Sequence, residues 1–181
     1  MKIARIAVMI AALVAGGSAF AVNPQEIDVY AQMGGTLSVA ISGTIFSFTG
    51  LTPSQTIVNA TSINVTNDSA GFVEDYTLEI TNSLDWTVAG ANAPDTAVIG
   101  ALFNSVAPAP AAFGAQDNLI GLAAPTLAGA TALQPFVGDQ DGQDVNPAAM
   151  ITLWLRMIAP TTDSSSGAMQ RFDMTLTAVA P

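Results

Sequence analysis

The chain has 181 residues, half of them hydrophobic and only 10% charged, with 14 acidic residues against four basic ones and a net charge of −10. It contains no histidine and no cysteine. That excludes Ser–His–Asp and Cys–His nucleophilic catalysis and any disulfide framework, and it leaves zinc and copper without their usual imidazole or thiolate ligands.

The first element is a leader. Lys2 and Arg5 precede an apolar run over 6–14, and small residues end at Ala19-Phe-Ala21. This is the pattern of a secretory signal peptide over 1–21, with an apolar run too short to span a bilayer. No cysteine follows to carry a lipid. The expected mature chain starts at Val22, lacks lysine, and keeps Arg156 and Arg171 against all 14 carboxylates, a net charge of −12. Such a surface is a poor partner for nucleic acid or an anionic membrane, both of which need cationic side chains. Location outside the cytoplasm is expected, either at the cell surface and beyond or in a periplasm.

Residues 22–35 form the next expected unit: a strand over 26–32 and a hinge at Met33-Gly-Gly35. The rest, 36–181, reads as one domain. Runs rich in Thr, Val, Ile and aromatics alternate with Gly, Pro, Asn, Asp and Ser, which is β composition. Strands are expected over 36–41, 44–49, 56–67, 74–81, 85–89, 98–103, 149–158 and 168–179. Two of them alternate clearly. Phe172, Met174 and Leu176 share one face against Arg171, Asp173, Thr175 and Thr177. Ile151, Leu153, Leu155 and Met157 share one face against Thr152, Trp154 and Arg156. Period two with one apolar face is a half-buried strand. No helical stripe is sustained. About nine short strands predict an all-β, antiparallel, immunoglobulin-like sandwich. The proline-rich VAPAPAAF over 106–113 is expected to be a connector, and 116–147 a long loop insertion.

Within that insertion lies Gly-Asp-Gln-Asp-Gly-Gln-Asp over 138–144. Asp139, Asp141 and Asp144 are the candidate metal ligands, for calcium, because alternating carboxylates around a glycine turn can wrap a hard cation. The spacing departs from an EF-hand, which places Gly at its sixth position and Glu at its twelfth; from Asp139 the twelfth residue is Met150. The competing reading is a polar turn before the 149–158 strand. Three glycosylation sequons begin at Asn59, Asn64 and Asn67, and the last reads first as a turn. Trp86 and Trp154 lie in apolar strands and are expected to pack. Paired carboxylates, as in glycosidases, are the one catalytic option left, and nothing selects a pair among 14.

Local patterns resemble known secreted proteins. The 36–41 strand, Gly50-Leu-Thr-Pro-Ser-Gln-Thr56, Ile63-Asn-Val-Thr-Asn67 and Tyr76-Thr-Leu-Glu-Ile80 resemble the bacterial immunoglobulin-like sandwiches of the TasA/camelysin fibre group, with Ser54 at that turn's usual glycine. Asp85-Trp-Thr-Val88 and Met174-Thr-Leu-Thr-Ala-Val-Ala-Pro181 resemble the WxL cell-wall-binding domain, with Met174 where its second tryptophan motif would stand. The resemblance implies a surface or fibre role and carries over no individual residue.

The leading expectation is therefore a non-enzymatic structural subunit of a filament or surface layer, without a cofactor. Residues 22–32 would leave their own domain and add a strand to a neighbour, an arrangement driven by backbone hydrogen bonding at an open edge. Pairing of that segment within its own domain is the simpler alternative for the strand itself. The alternative function is a monomeric binding module for a cell-wall polymer or calcium.

Overall fold

The computed structural model describes residues 36–82, 85–120, 126–129 and 135–181, all within one compact unit, Gly35–Pro181. The expected leader and the expected 26–32 strand lie outside the described residues. Ten strands lie among the described residues: β1 (Val39–Ile41), β2 (Thr56–Val58), β3 (Ile63–Asn67), β4 (Asp75–Asn82), β5 (Thr87–Val88), β6 (Thr96–Phe103), β7 (Asn118–Leu119), β8 (Thr126–Leu127), β9 (Met150–Ile158) and β10 (Phe172–Val179). Two single 3₁₀ turns, Pro110–Ala112 and Ala115–Asp117, are the helical elements described, and neither is long enough to cross a membrane.

The strands form two sheets, as an all-β sandwich requires. The larger runs β1–β3–β9–β6–β5, with β2 also on β9 and β7 on β6; the smaller is β10–β4–β8. All pairs are antiparallel except β5 with β6. β9 is the spine. One edge pairs with β6 from Leu153 to Ile158, and the other takes β3 and then β2.

The core sits between the sheets. From the larger sheet it takes Val65, Ile99, Ala101, Phe103 and the expected face of β9: Ile151, Leu153, Leu155 and Met157. From the smaller it takes Tyr76, Leu78 and Ile80, with Phe172, Met174 and Leu176 packed against them. Tyr76 and Phe103 meet across the layers with ring centroids 6.5 Å apart. The β10 alternation is as expected, with Asp173, Thr175 and Thr177 outward.

Several local expectations are corrected. The single strand over 56–67 is interrupted at Asn59, whose buried side chain accepts the Thr61 N–H (3.0 Å) and turns the chain between β2 and β3. An Asx turn offers the backbone a local partner in place of the ladder. The 44–49 stretch is not a strand: no ladder or backbone hydrogen bond involves it among the described residues. β1, β5 and β10 are shorter than expected, and β7 and β8 are two-residue ladders within the long insertion. The 106–113 connector lies over the outer face of the larger sheet. There Phe113 joins Leu102, Trp154 and Val58 in a second, smaller core.

The Asn67 turn does form. Asn67 is fully buried, its side-chain N–H₂ donates to the Phe72 and Val145 carbonyls, and its oxygen accepts from Ser69. It presents nothing to a glycosylating enzyme. At the Thr52-Pro-Ser-Gln55 turn, closed by Gln55 N–H to Thr52 C=O (3.0 Å), Ser54 has φ 58°. That positive φ is what a glycine would supply at no steric cost.

Candidate functional site

The three aspartates of the acidic stretch make separate contacts. Asp139 accepts from both the backbone N–H and the hydroxyl of Ser105, and the Ser105 contacts hold its pKa below the usual value. Asp141 accepts the Gln143 N–H (2.6 Å). Asp144 is engaged through its own N–H, which donates to the Asp75 carboxylate (2.8 Å). No cluster of three acidic residues suited to a metal is found among the described residues.

Instead the stretch closes one end of the sandwich. The Gly142 carbonyl accepts the Tyr76 N–H (2.7 Å), the Gly138 N–H reaches the Phe103 carbonyl (3.0 Å), and the Gln140 side chain accepts the Thr152 N–H (2.8 Å). It thus bonds to β4, β6 and β9. The approach at Gly138 is close: a Cβ there would lie 2.4 Å from the Phe103 carbonyl oxygen. Gly138→Ala is expected to destabilise by about 2 kcal/mol, as overpacking against backbone does. Asp139→Asn and Asp141→Asn should each change stability by less than ~1 kcal/mol. Urea unfolding of the three variants measures the contrast.

Two further polar constructions were not anticipated. Arg156, on the outer face of β9, is buried. Its guanidinium donates to the carbonyls of Phe113 (2.7 Å) and Pro110 (3.4 Å) and to the Asn118 side chain (2.7 Å), and lies 5.0 Å from the Phe113 ring centroid. Buried Asp117 caps the adjoining turn by accepting from Gly114 (2.6 Å) and Phe136 (2.8 Å). Burial pushes its pKa up, while those two N–H groups and the Arg156 charge pull it down. This is a tether that holds the proline-rich cover on the sheet.

The other is an exposed clamp. Asp163 accepts from the Trp86 indole (3.0 Å), from Ser165 and from Gly167. The Ser165 hydroxyl first, then the indole, lower its pKa to about 2. Because the folded value lies below the ordinary 3.8, the clamp's contribution is present above pH 3.8 and is lost as pH falls towards 2. Trp86 fluorescence should change in that window and lose the change in Asp163→Asn, which removes the ionisation.

Beside the clamp lies an open feature of the surface. Between β10 and the unpaired 44–49 stretch runs an apolar groove of about 1320 Å³ that enters the space between the sheets. Its floor includes Ile80, Ile99, Leu153 and Met157; Phe46 and Phe48 line one wall and Phe172, Met174 and Leu176 the other. Met169, 90% exposed, and Ile45, 75% exposed, stand among the lining residues. β10 pairs with β4 on one edge, and among the described residues no strand pairs with its other edge. The inner face of β10 is accordingly only half-buried, whereas Tyr76, Leu78 and Ile80 on neighbouring β4 are buried.

Comparison with known proteins leaves the interpretation to this geometry. No protein-family model matches the chain, and no curated protein matches it.

The groove can take an extended peptide. A strand entering it would find an open backbone edge on β10, an unpaired stretch at 44–49, and apolar residues on its inner side. Sequence reasoning missed the groove, although one signal was present: 44–49 has strand composition, and among the described residues no strand pairs with it.

Proposed function

We propose that the chain is an exported, non-enzymatic structural subunit that polymerises by strand addition, with residues 22–32 of one copy entering the groove of the next. The observation that carries this reading is the apolar groove beside the open edge of β10. A large exposed apolar surface is costly in a soluble protein and marks an interaction site. An exposed strand edge is a template for another chain.

The proposed occupant is in the chain itself. In 26–33 the sequence reads Glu-Ile-Asp-Val-Tyr-Ala-Gln-Met. Ile27, Val29, Ala31 and Met33 fall on one face of an extended chain and Glu26, Asp28, Tyr30 and Gln32 on the other. Eleven residues span about 36 Å as a strand, against about 26 Å for the eight of β10. Gly34 and Gly35 follow in the sequence, and glycine is the residue with the widest choice of backbone conformation. Head-to-tail addition of this kind does not close on itself and gives a filament. The leader expected over 1–21 supports a filament outside the cytoplasm.

Negative-stain microscopy of exported material tests the reading. The intact chain should form filaments, and the chain lacking 22–32 should give dispersed particles. Filaments that persist unchanged without 22–32 would sink strand addition by this segment.

A further inference from the structure

The alternation of the entering segment and the charges along the groove fix more than its identity. Resting on the strand-addition reading above, we infer that the segment from the neighbouring copy enters parallel to β10, with Asp28 across from Arg171. Arg171 would then be the residue that sets its direction and register.

Arg171 stands immediately before β10 on the strand's outward face, and its side chain is 76% exposed. It lines the groove, and among the described residues it is the one exposed cation, since Arg156 is buried. Its contact with Asp173, two residues along the same strand, uses Nε (2.9 Å) and Nη2 (2.8 Å) and only Oδ1 of the carboxylate. The Nη1 group has no partner among the described residues. A guanidinium carries five donors in a planar fork, so it can serve a second carboxylate while keeping the first.

The entering segment has Glu26 and Asp28 on the face that would lie outward with Arg171. Directly opposed residues interact most strongly, and like charges placed opposite each other repel. In the parallel arrangement Asp28 meets Arg171, and Tyr30, which has no charge, meets Asp173. On the inner face Val29, Ala31 and Met33 fall beside Phe172, Met174 and Leu176, so each inward position from 172 to 176 is apolar.

The antiparallel alternatives lose one term or the other. Placing Asp28 across from Arg171 would put Glu26 against Asp173 and turn Gln25 and Asn23 into the groove beside Met174 and Leu176. Keeping the apolar face inward, with Met33 beside Phe172 and Ile27 beside Ala178, puts Gly34 at Arg171 and leaves both carboxylates without a cation. Parallel addition alone satisfies both faces in one register.

The absence of native cysteine makes a direct test available. In full-length chains, Gln32→Cys with Thr175→Cys brings two thiols opposite each other in the parallel register, whereas Gln32→Cys with Asp173→Cys does so in the antiparallel register that keeps the apolar face inward. Under oxidising conditions the first pair should give a ladder of disulfide-linked copies on a non-reducing gel. The second should give at most a trace. In parallel, Arg171→Asp alone should reduce filament yield about tenfold or more, and the exchange of Asp28→Arg with Arg171→Asp should restore most of it. A ladder from the second pair, or no recovery in the exchanged variant, would overturn the direction and register while leaving strand addition in place. Cross-linking within single chains, or filaments that cross-link through neither pair and survive loss of 22–32, would overturn both.

Discussion

Arg156→Met is expected to lower the unfolding free energy by about 3 kcal/mol, the size seen when one member of a buried polar constellation is removed. The methionine fills much of the space of the arginine stem, so the loss isolates the guanidinium. Without it, the carbonyls of Pro110 and Phe113 and the side chain of Asn118 lose their donor, and the Phe113 ring loses its cation. Gly100 faces the same place: a Cβ there would lie 3.3 Å from both Arg156 Nη2 and the Phe113 ring, so a side chain at this position would press on the tether.

The variant also carries a pH signature. Asp117 already has a folded pKa above the ordinary 3.8, with burial as the main cause, and the Arg156 charge opposes that rise. Removing Arg156 raises it further. A carboxyl whose folded pKa exceeds its unfolded value destabilises the fold above that range, and the penalty shrinks as pH falls towards 3.8. The stability difference between Arg156→Met and the native chain should therefore narrow on acidification. Urea midpoints measured from pH 7 down to pH 4 provide the comparison.

Val29→Asp is expected to abolish assembly while leaving the melting temperature of the isolated subunit unchanged. In a groove-bound strand Val29 faces inward, where burying its side chain contributes about 1.5–3 kcal/mol and an ionised carboxylate without a partner costs several kcal/mol more. The summed change exceeds ~4 kcal/mol, more than a thousandfold in association constant. Val29→Ile, which keeps the apolar character, should assemble. Tyr30→Asp, on the outward face but across from Asp173, should weaken assembly without abolishing it. Sedimentation of exported material separates the three outcomes. Val29→Asp chains that still pellet as filaments would remove residues 22–32 from the groove.

Much of the sandwich was legible because period two survives wherever one face of a strand is buried. β10 shows it most plainly, and β9 shows it on the face that packs between the sheets. β9 also buries Trp154 and Arg156 on its other side, under the proline-rich cover. That second burial was not legible, since it depends on Arg156 reaching a carbonyl 43 residues away. The 44–49 stretch shows the complementary limit. Its Thr, Ile and Phe residues carry strand propensity, but a strand exists only when an edge pairs with it. The break at Asn59 comes from a side chain competing with the ladder, a local event hidden inside a run of β-branched residues.

The acidic stretch over 138–144 was conspicuous for its aspartates, yet the structure uses its backbone and glycines. Gly138 and Gly142 let the chain press against Phe103 and Tyr76, while the carboxylates bond to N–H groups and a hydroxyl at separate points. Composition reports which groups are present; the fold decides which of them converge. The groove was illegible for the same reason: its residues come from β1, from 43–53, from the middle of the larger sheet and from β10. Only their arrangement leaves an unfilled space.

The central claim is that this space receives residues 22–32 of another copy, and binding of a free peptide that carries them tests it most directly. A synthetic peptide of 22–33 should raise the melting temperature of chains lacking 22–32, saturating at one peptide per chain. At a hundredfold excess over its dissociation constant the stabilisation is about 2.7 kcal/mol, or roughly 5–10 °C for a domain of this size. A peptide of the same composition in scrambled order should give no shift. No shift with the native peptide, or an equal shift with both, would contradict strand addition as the basis of assembly.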